Sequence, residues 1–542
     1  MISSKTPGGI TRVKDAASCR EWLASLQLSP AERLQVLERL WANMERSSSP
    51  PDLMLEILDQ ARPTHLADVD DRLREVSASA FPMPSSAWAI LQQALVSMRR
   101  ARDLYKRTYT QLVDDSGVST HMVIPGSATS LRSVLPLSRA LDYQARVLRA
   151  QLLARVRVGE DDWRELMVLA RHLRASTYLD APLPDPAAFI KVVNSRALFV
   201  YPMLLHAASL TRHIDPEVAI IDRMARQWAA KVGFRIDDDG RLHENSHGPT
   251  MLLTATGSVR LDTQALIRRL EERIRVLDSS AGAPADIRLP RGMSRDKVRR
   301  LLDGMRLRWS SAWRPEPPAP PLTDKLLLRF GPPASNSDAR PTRGHDDLGA
   351  PIGLASMSYV YGRHEQNSVI RIAMGVQGGP SDPIEQLMVG ADPVAWSGKL
   401  ADVIEFERRA AAPLTLGTLV AFHVGEGARR ELRLGRVCAL SQAAEGHGDN
   451  TRIQRITALM WPMTGDLVGI RLADSAFYED AFHLPAGPRS NDPHSVIVPP
   501  GRWRIGAPAM LRTRDRDVRV LFDHLLERDS GFDRVAIRTF EP

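Results

Sequence analysis

At 542 residues the chain is longer than one module, and at about 100 to 200 residues per domain it predicts two to four domains. Hydrophobic residues make up 43% and charged residues 25%, which excludes a wholly disordered, collagenous or coiled-coil chain. The 72 Lys and Arg against 64 Asp and Glu leave a net charge of +8, but eight Lys against 64 Arg is the skew of a GC-rich coding bias, so nucleic acid is not an expected partner.

Residues 1–14 read as a flexible N-terminus without the apolar core of a secretory signal. Residues 15–230 read as a helical domain. Ser29-Pro30-Ala31-Glu32 is a capping box with Pro at N1, followed by Leu34, Leu37 and Trp41 at helical spacing. Asp215-Pro216-Glu217 repeats that start before Ile220, Ile221, Met224 and Trp228. The longest apolar run, Ala197 to Leu210, is broken by Pro202 and His206, so no membrane span is expected.

Residues 231–313 form a mixed α/β segment. Lys231 to Ile236 and Met251 to Thr256 are strand-like, Thr263 to Leu277 is an amphipathic helix, and a helix over 295–314 carries Val298, Leu302, Met305, Trp309 and Trp313 on one stripe. Residues 314–350 hold eight prolines and read as a linker. From 351 to 542 the chain breaks into short strands: Val369 to Val376, Leu416 to Val424, Leu432 to Leu440, Ile453 to Met460, Leu467 to Leu472, Ser495 to Val498, Ala509 to Arg512, Val518 to Phe522 and Val535 to Thr539. Such spacing implies an antiparallel barrel or sandwich, as one domain or two small β-units. The fold class expected is α+β multidomain: a helical N-terminal region followed by a C-terminal antiparallel β-barrel.

His243-Glu244-Asn245-Ser246-His247 is formally the zinc-peptidase spacing, which needs a helix to put both imidazoles on one face. Gly240 before it and Gly248-Pro249 after it argue against that helix, and no zinc is expected. Asp237-Asp238-Asp239-Gly240 reads as a turn, and the nucleotide-binding and nucleophile-elbow motifs are absent. Catalysis and a bound cofactor are therefore not expected. The two cysteines, Cys19 and Cys438, fall in different predicted regions and build no disulfide framework, which fits a reducing cytoplasm. Arginines gather around two hairpins, at Arg408 and Arg409 and again at Arg429, Arg430, Arg433 and Arg436, and Arg429/Arg433 form an RxxxR. The planar fork of arginine suits phosphate and stacks on bases.

Residues 414–426 (LTLGTLVAFHVGE), 431–440 (ELRLGRVCAL) and 467–474 (LVGIRLAD), with the closing stretch from Ser495, resemble the strand succession of divergent PilZ-type domains of bacterial cyclic di-GMP receptors. The resemblance extends upstream to about 231. It implies a PilZ-like barrel whose arginines grip a cyclic dinucleotide and whose Asp/Asn-x-Ser-x-x-Gly motif closes over it. Where that motif belongs, the chain reads Glu405 to Ala411 with neither Ser nor Gly, and Arg429/Arg433 follow the first barrel strand instead of preceding it, so the ligand motif is degenerate. The expectation is a cytoplasmic regulatory protein with Arg408, Arg409, Arg429 and Arg433 as ligand-binding candidates, cyclic di-GMP as ligand and a protein partner of unknown identity. The alternative is a ligand-free helical scaffold acting by protein contacts.

Overall fold

The structure is a computed structural model that describes residues between 13 and 540, with its longest breaks at 117–127, 238–247, 280–292, 312–323 and 330–391. The chain divides into two compact units, one ending at Glu316 and one running from Pro317 to Pro542 with Ala80–Pro82 added to it.

The first unit is mostly helical. Its helices are α1 (Ala16–Ser25), α2 (Pro30–Arg46), α3 (Pro51–Ser77), α4 (Ser85–Ser116), α5 (Ala128–Leu153), α6 (Glu160–Ala175), α7 (Ser195–Ala207), α8 (Asp215–Trp228), α9 (Gln264–Ser279) and α10 (Arg295–Arg308). The Ser29 box forms as the sequence implies: its hydroxyl accepts from the Glu32 N–H while the Glu32 carboxylate accepts from the Ser29 N–H at 3.0 Å, and Leu34, Leu37 and Trp41 are buried below. Helices α3, α4 and α5 pack in succession. Between them His65 is fully enclosed, with its ring nitrogens 2.9 Å from the Tyr143 and Ser97 hydroxyls. Burial, then the nearby Arg146 and Arg62 charges, push its pKa down to about 3, so the ring is neutral.

Strands β1 (Gly233–Asp237), β2 (Thr250–Leu252) and β3 (Ser258–Asp262) form an antiparallel sheet in the order β1-β3-β2. The 231–313 segment shares the core of the helical region. Trp309 is fully buried, packs edge-on against Trp228 at 6.0 Å and donates its indole N–H to the Leu204 carbonyl at 3.0 Å. Helix α10 ends at Arg308, earlier than the expected 314, because Trp309 is its C-cap; Trp313 lies outside the described residues.

The second unit holds two closed six-stranded antiparallel barrels. The first is built from β4 (Asp324–Arg329), β5 (Asp392–Lys399), β6 (Val403–Arg409), β7 (Leu419–Val424), β8 (Glu431–Ala444) and β9 (Arg452–Thr464), in the order β4-β5-β6-β9-β8-β7. The second is built from β10 (Asp466–Leu472), β11 (Glu479–Leu484), β12 (Ser495–Val498), β13 (Pro508–Arg512), β14 (Asp517–Arg528) and β15 (Asp533–Thr539), in the order β10-β11-β12-β15-β14-β13. Closure leaves neither barrel an unpaired edge. One expectation changes here: a stretch read as linker supplies β4, whose pairing with β5 and β7 closes the first barrel. Of the two arrangements open for the β-region, one domain or two small β-units, the structure has two barrels. The strand expected at Val369 to Val376 lies outside the described residues.

The second barrel is filled by alternate residues: Val468 and Ile470, Ala509 and Leu511, Val520 and Phe522, Val535 and Ile537 point inward. The barrels meet in a separate apolar cluster. Leu419, Leu434, Trp461 and Met463 of the first pack against Phe482, Leu484, Ile497 and Phe532 of the second, with Trp461 and Phe532 edge-to-face at 5.8 Å. Phe532 sits just past the tip of the β14–β15 hairpin, and that tip is clasped by polar groups as well. Arg436 of β8 pairs with Glu527 at 2.5 Å and Asp529 at 3.0 Å, and the Trp461 indole N–H donates to Glu527 at 3.3 Å.

Candidate functional site

Of the four arginines singled out in the sequence, the strand positions of Arg408, Arg409 and Arg433 are described. Arg408 and Arg409 are neighbours on β6, paired with Gln454 and Ile453 of β9. Arg433 on β8 pairs with Thr464, at the other end of β9. Ten residues of β9 separate Gln454 from Thr464, about 33 Å of extended chain. Arg433 donates to the Pro462 carbonyl at 2.9 Å, so part of its fork holds the β8–β9 hairpin. Arg429 lies outside the described residues, as does the whole His243–His247 stretch. Among the described residues no group of three or more His, Cys, Asp or Glu could hold a metal ion.

A different set of basic and aromatic side chains converges on the outer wall of the second barrel. Inward Ile470, Leu511 and Val520 leave Gly469, Arg471, Met510, Arg512, Asp517 and Arg519 on the outer face. Register places Arg471 opposite Met510 and Met510 opposite Arg519, while Gly469 stands opposite Arg512 and Arg512 opposite Asp517. The Tyr478 ring lies against Gly469, where a Cβ would come within 3.2 Å of it. Arg512 stacks on that ring with Cζ 3.8 Å from the centroid, and Arg471 lies 5.2 Å from it.

Asp517 ties the group together. It accepts from Arg512 Nε and Nη2 at 3.0 and 3.2 Å and from the Tyr478 hydroxyl at 2.9 Å. The Arg512 guanidinium first, then the Tyr478 hydroxyl, hold the Asp517 carboxyl below its usual range although burial opposes them. Over Tyr478 and with 40% of its side chain exposed, Arg512 keeps its cation partly open to solvent. Arg471 makes no ion pair among the described residues, and Arg519 is exposed two strands away, about 10 Å along the sheet. Chemically, this face can stack a flat ring and donate to an anion beside it.

Residues 17–238 match the family model described as "Cyclic-di-GMP receptor FimW, N-terminal domain", and residues 468–540 match the one described as "FimW C-terminal beta-barrel domain". Together the two matches take in more than half of the chain. The chain belongs to the FimW family. The FimW C-terminal match coincides with β10–β15, so the family's barrel is the second one, and the barrel over β4–β9 lies between the two matched stretches. The expected resemblance to a PilZ-type cyclic di-GMP receptor agrees with this membership, as does the expected helical region followed by an antiparallel barrel. The FimW N-terminal match adds the helical region, which residue patterns alone left unassigned. No curated protein and no solved structure matches this chain. No helix among the described residues is long and apolar enough to cross a membrane.

Sequence reading missed the Arg471–Tyr478–Arg512 face. Its members are spread over residues 469–519 with no fixed spacing, and only strand register brings them together. A Gly in mid-strand, at 469, was the available sign, because glycine inside a strand marks close approach by another group.

Proposed function

We propose that this FimW-family chain senses cyclic di-GMP on the outer wall of its second barrel and acts as a non-catalytic regulator in the cytoplasm. The observation that carries the reading is the Arg512–Tyr478 stack on the barrel that matches the family. A guanine base would stack on the solvent side of Arg512, and Arg471 and Arg519 would donate to phosphate oxygens. Arg408/Arg409 and Arg429/Arg433 remain a second pair of candidate positions. Neither Cys19 nor Cys438 is in a disulfide, in keeping with a reducing compartment. The ligand would act by binding one arrangement of the molecule better than another, and its effect is limited to that difference in affinity.

Isothermal titration of the full chain with cyclic di-GMP at physiological salt, with GMP as control, tests the site. A charge-assisted hydrogen bond is worth about 1.5–3 kcal/mol, so Arg471→Ala and Arg512→Ala are each expected to weaken binding about 10- to 100-fold. Loss in Arg408→Ala/Arg409→Ala or Arg429→Ala/Arg433→Ala with Arg471→Ala and Arg512→Ala unaffected would move the site to the first barrel. Absence of heat with the unmodified chain would leave a scaffold acting by protein contacts.

A further inference from the structure

In the helical unit, four arginines form a floor that is already occupied. Arg62 comes from α3, and Arg139, Arg146 and Arg149 come from α5, where spacings of seven and three keep them on one side of the helix. Across this floor lie Asp185, Ala187 and Phe189, from the stretch between α6 and α7. Arg62 grips both Asp185 carboxylate oxygens, at 2.6 and 2.8 Å, and Arg139 adds a third contact at 2.9 Å. Arg146 donates to the Ala187 carbonyl at 2.6 Å, and its Cζ lies 4.5 Å over the Phe189 ring, with that of Arg149 at 5.8 Å. Tyr201 closes the ring's flank edge-on at 5.2 Å.

The same four arginines also pair with Asp59, Asp70, Asp142 and Asp222. Asp185 adds a carboxylate from outside the helices and is almost wholly buried in doing so. At the root of this strap a cleft of about 290 Å³ opens between Arg174, Leu179, Asp180, Arg196 and Phe234.

We infer that the floor is a recognition site for a peptide segment carrying Asp-x-x-x-Phe, and that Asp185, Ala187 and Phe189 are its resident contacts, displaced when a partner protein offers the same pattern. The grip has three parts: a bidentate carboxylate, a ring on guanidinium planes, and a backbone carbonyl read by Arg146. The carbonyl makes the occupant a peptide rather than a phosphate ester. This inference is independent of the cyclic dinucleotide reading, since it uses none of the barrel residues.

The test uses the full chain and a fluorescein-labelled peptide with the sequence of residues 183–191, followed by anisotropy. Vacating the ring position with Phe189→Ala raises the open fraction of the floor, so the peptide is expected to bind that variant at least tenfold more tightly than the unmodified chain. Changing the peptide's Asp to Asn, or adding Arg146→Lys to the protein, is expected to remove the gain. Equal affinity for the two proteins, or binding indifferent to the peptide's Asp, overturns the inference. Absence of peptide binding to either protein also overturns it. Phe189→Leu, which keeps an apolar side chain on the floor, gives the same comparison if the alanine variant loses its helical circular dichroism.

Discussion

Gly417 is the position where one added methyl group is expected to loosen the clasp between the barrels. Its φ of +81° lies in the left-handed region, and its N–H donates to the Val437 carbonyl at 2.8 Å, so the conformation is held by the barrel wall. Forcing an L-residue into that region costs about 1–2 kcal/mol. The new Cβ would also stand 1.6 Å from Asp529 Oδ1, so the hairpin tip must retreat and release Arg436. That pair is partly exposed and worth about 0.2–1 kcal/mol. Together these give about 1–3 kcal/mol for Gly417→Ala. Urea unfolding read by hydrogen–deuterium exchange in peptides from β8 and β14 separates the barrel pair from the helical unit. Repeating it on Asp529→Ala and on the double variant divides the cost, because with Asp529 shortened only the backbone part, about 1–2 kcal/mol, should remain. A Gly417→Ala protein within about 0.5 kcal/mol of the parent, the ordinary range for inconsequential surface changes, would refute the reasoning. So would an equal cost in both backgrounds, which would mean that the tip does not press on Gly417.

Other consequences are as direct. Phe532→Ala empties the centre of the inter-barrel cluster and should cost about 3–5 kcal/mol in the same exchange experiment, while leaving the helical unit's thermal transition in place. Ser29→Ala removes the α2 cap and should destabilise the helical unit by about 1 kcal/mol in urea titration. His65 has a folded pKa below its unfolded one. Its contribution is therefore complete above pH 6.5 and falls away as the pH drops toward 3, by up to about 1.4 kcal/mol per unit, and His65→Gln should flatten that slope in pH-dependent thermal melts. Burial opposes ionisation of Asp533, but the Arg528 guanidinium, the Trp503 indole N–H and the Gly501 N–H outweigh it and hold its carboxyl low. Its share of barrel stability is thus present above the ordinary carboxylate range and lost as the pH falls through the lowered value, a loss that Asp533→Asn should abolish in acid titrations of the exchange rates.

What was legible in the sequence was local. The Ser29–Glu32 box, the Val298–Trp309 stripe and the alternation through Ala509 to Arg512 each declare their structure within one turn or one strand. β4 escaped because its apolar burst, Leu326 to Leu328, stands among prolines and pairs with residues about 65 and 95 positions later. The spread of the candidate arginines escaped for a related reason. Arg408 and Arg433 look close in sequence, but Arg408 pairs with Gln454 near the start of β9 and Arg433 with Thr464 at its end. Arg62 and Asp185, 123 positions apart, meet only through tertiary packing, and nothing in the composition of either neighbourhood announces the other.

A single residue, Gly465, separates the last strand of the first barrel from the first strand of the second, and a Cβ there would come within 2.5 Å of the Leu434 side chain. There is no slack at that joint for a hinge. Cutting the chain there to express the family-matched barrel alone would leave Trp461 behind and strip Phe532 of its cover, giving a fragment with a sticky end in place of a domain. The practical unit for expression, crystallisation or transplantation into another protein is the barrel pair, and so is the unit within which substitutions on either side must remain compatible.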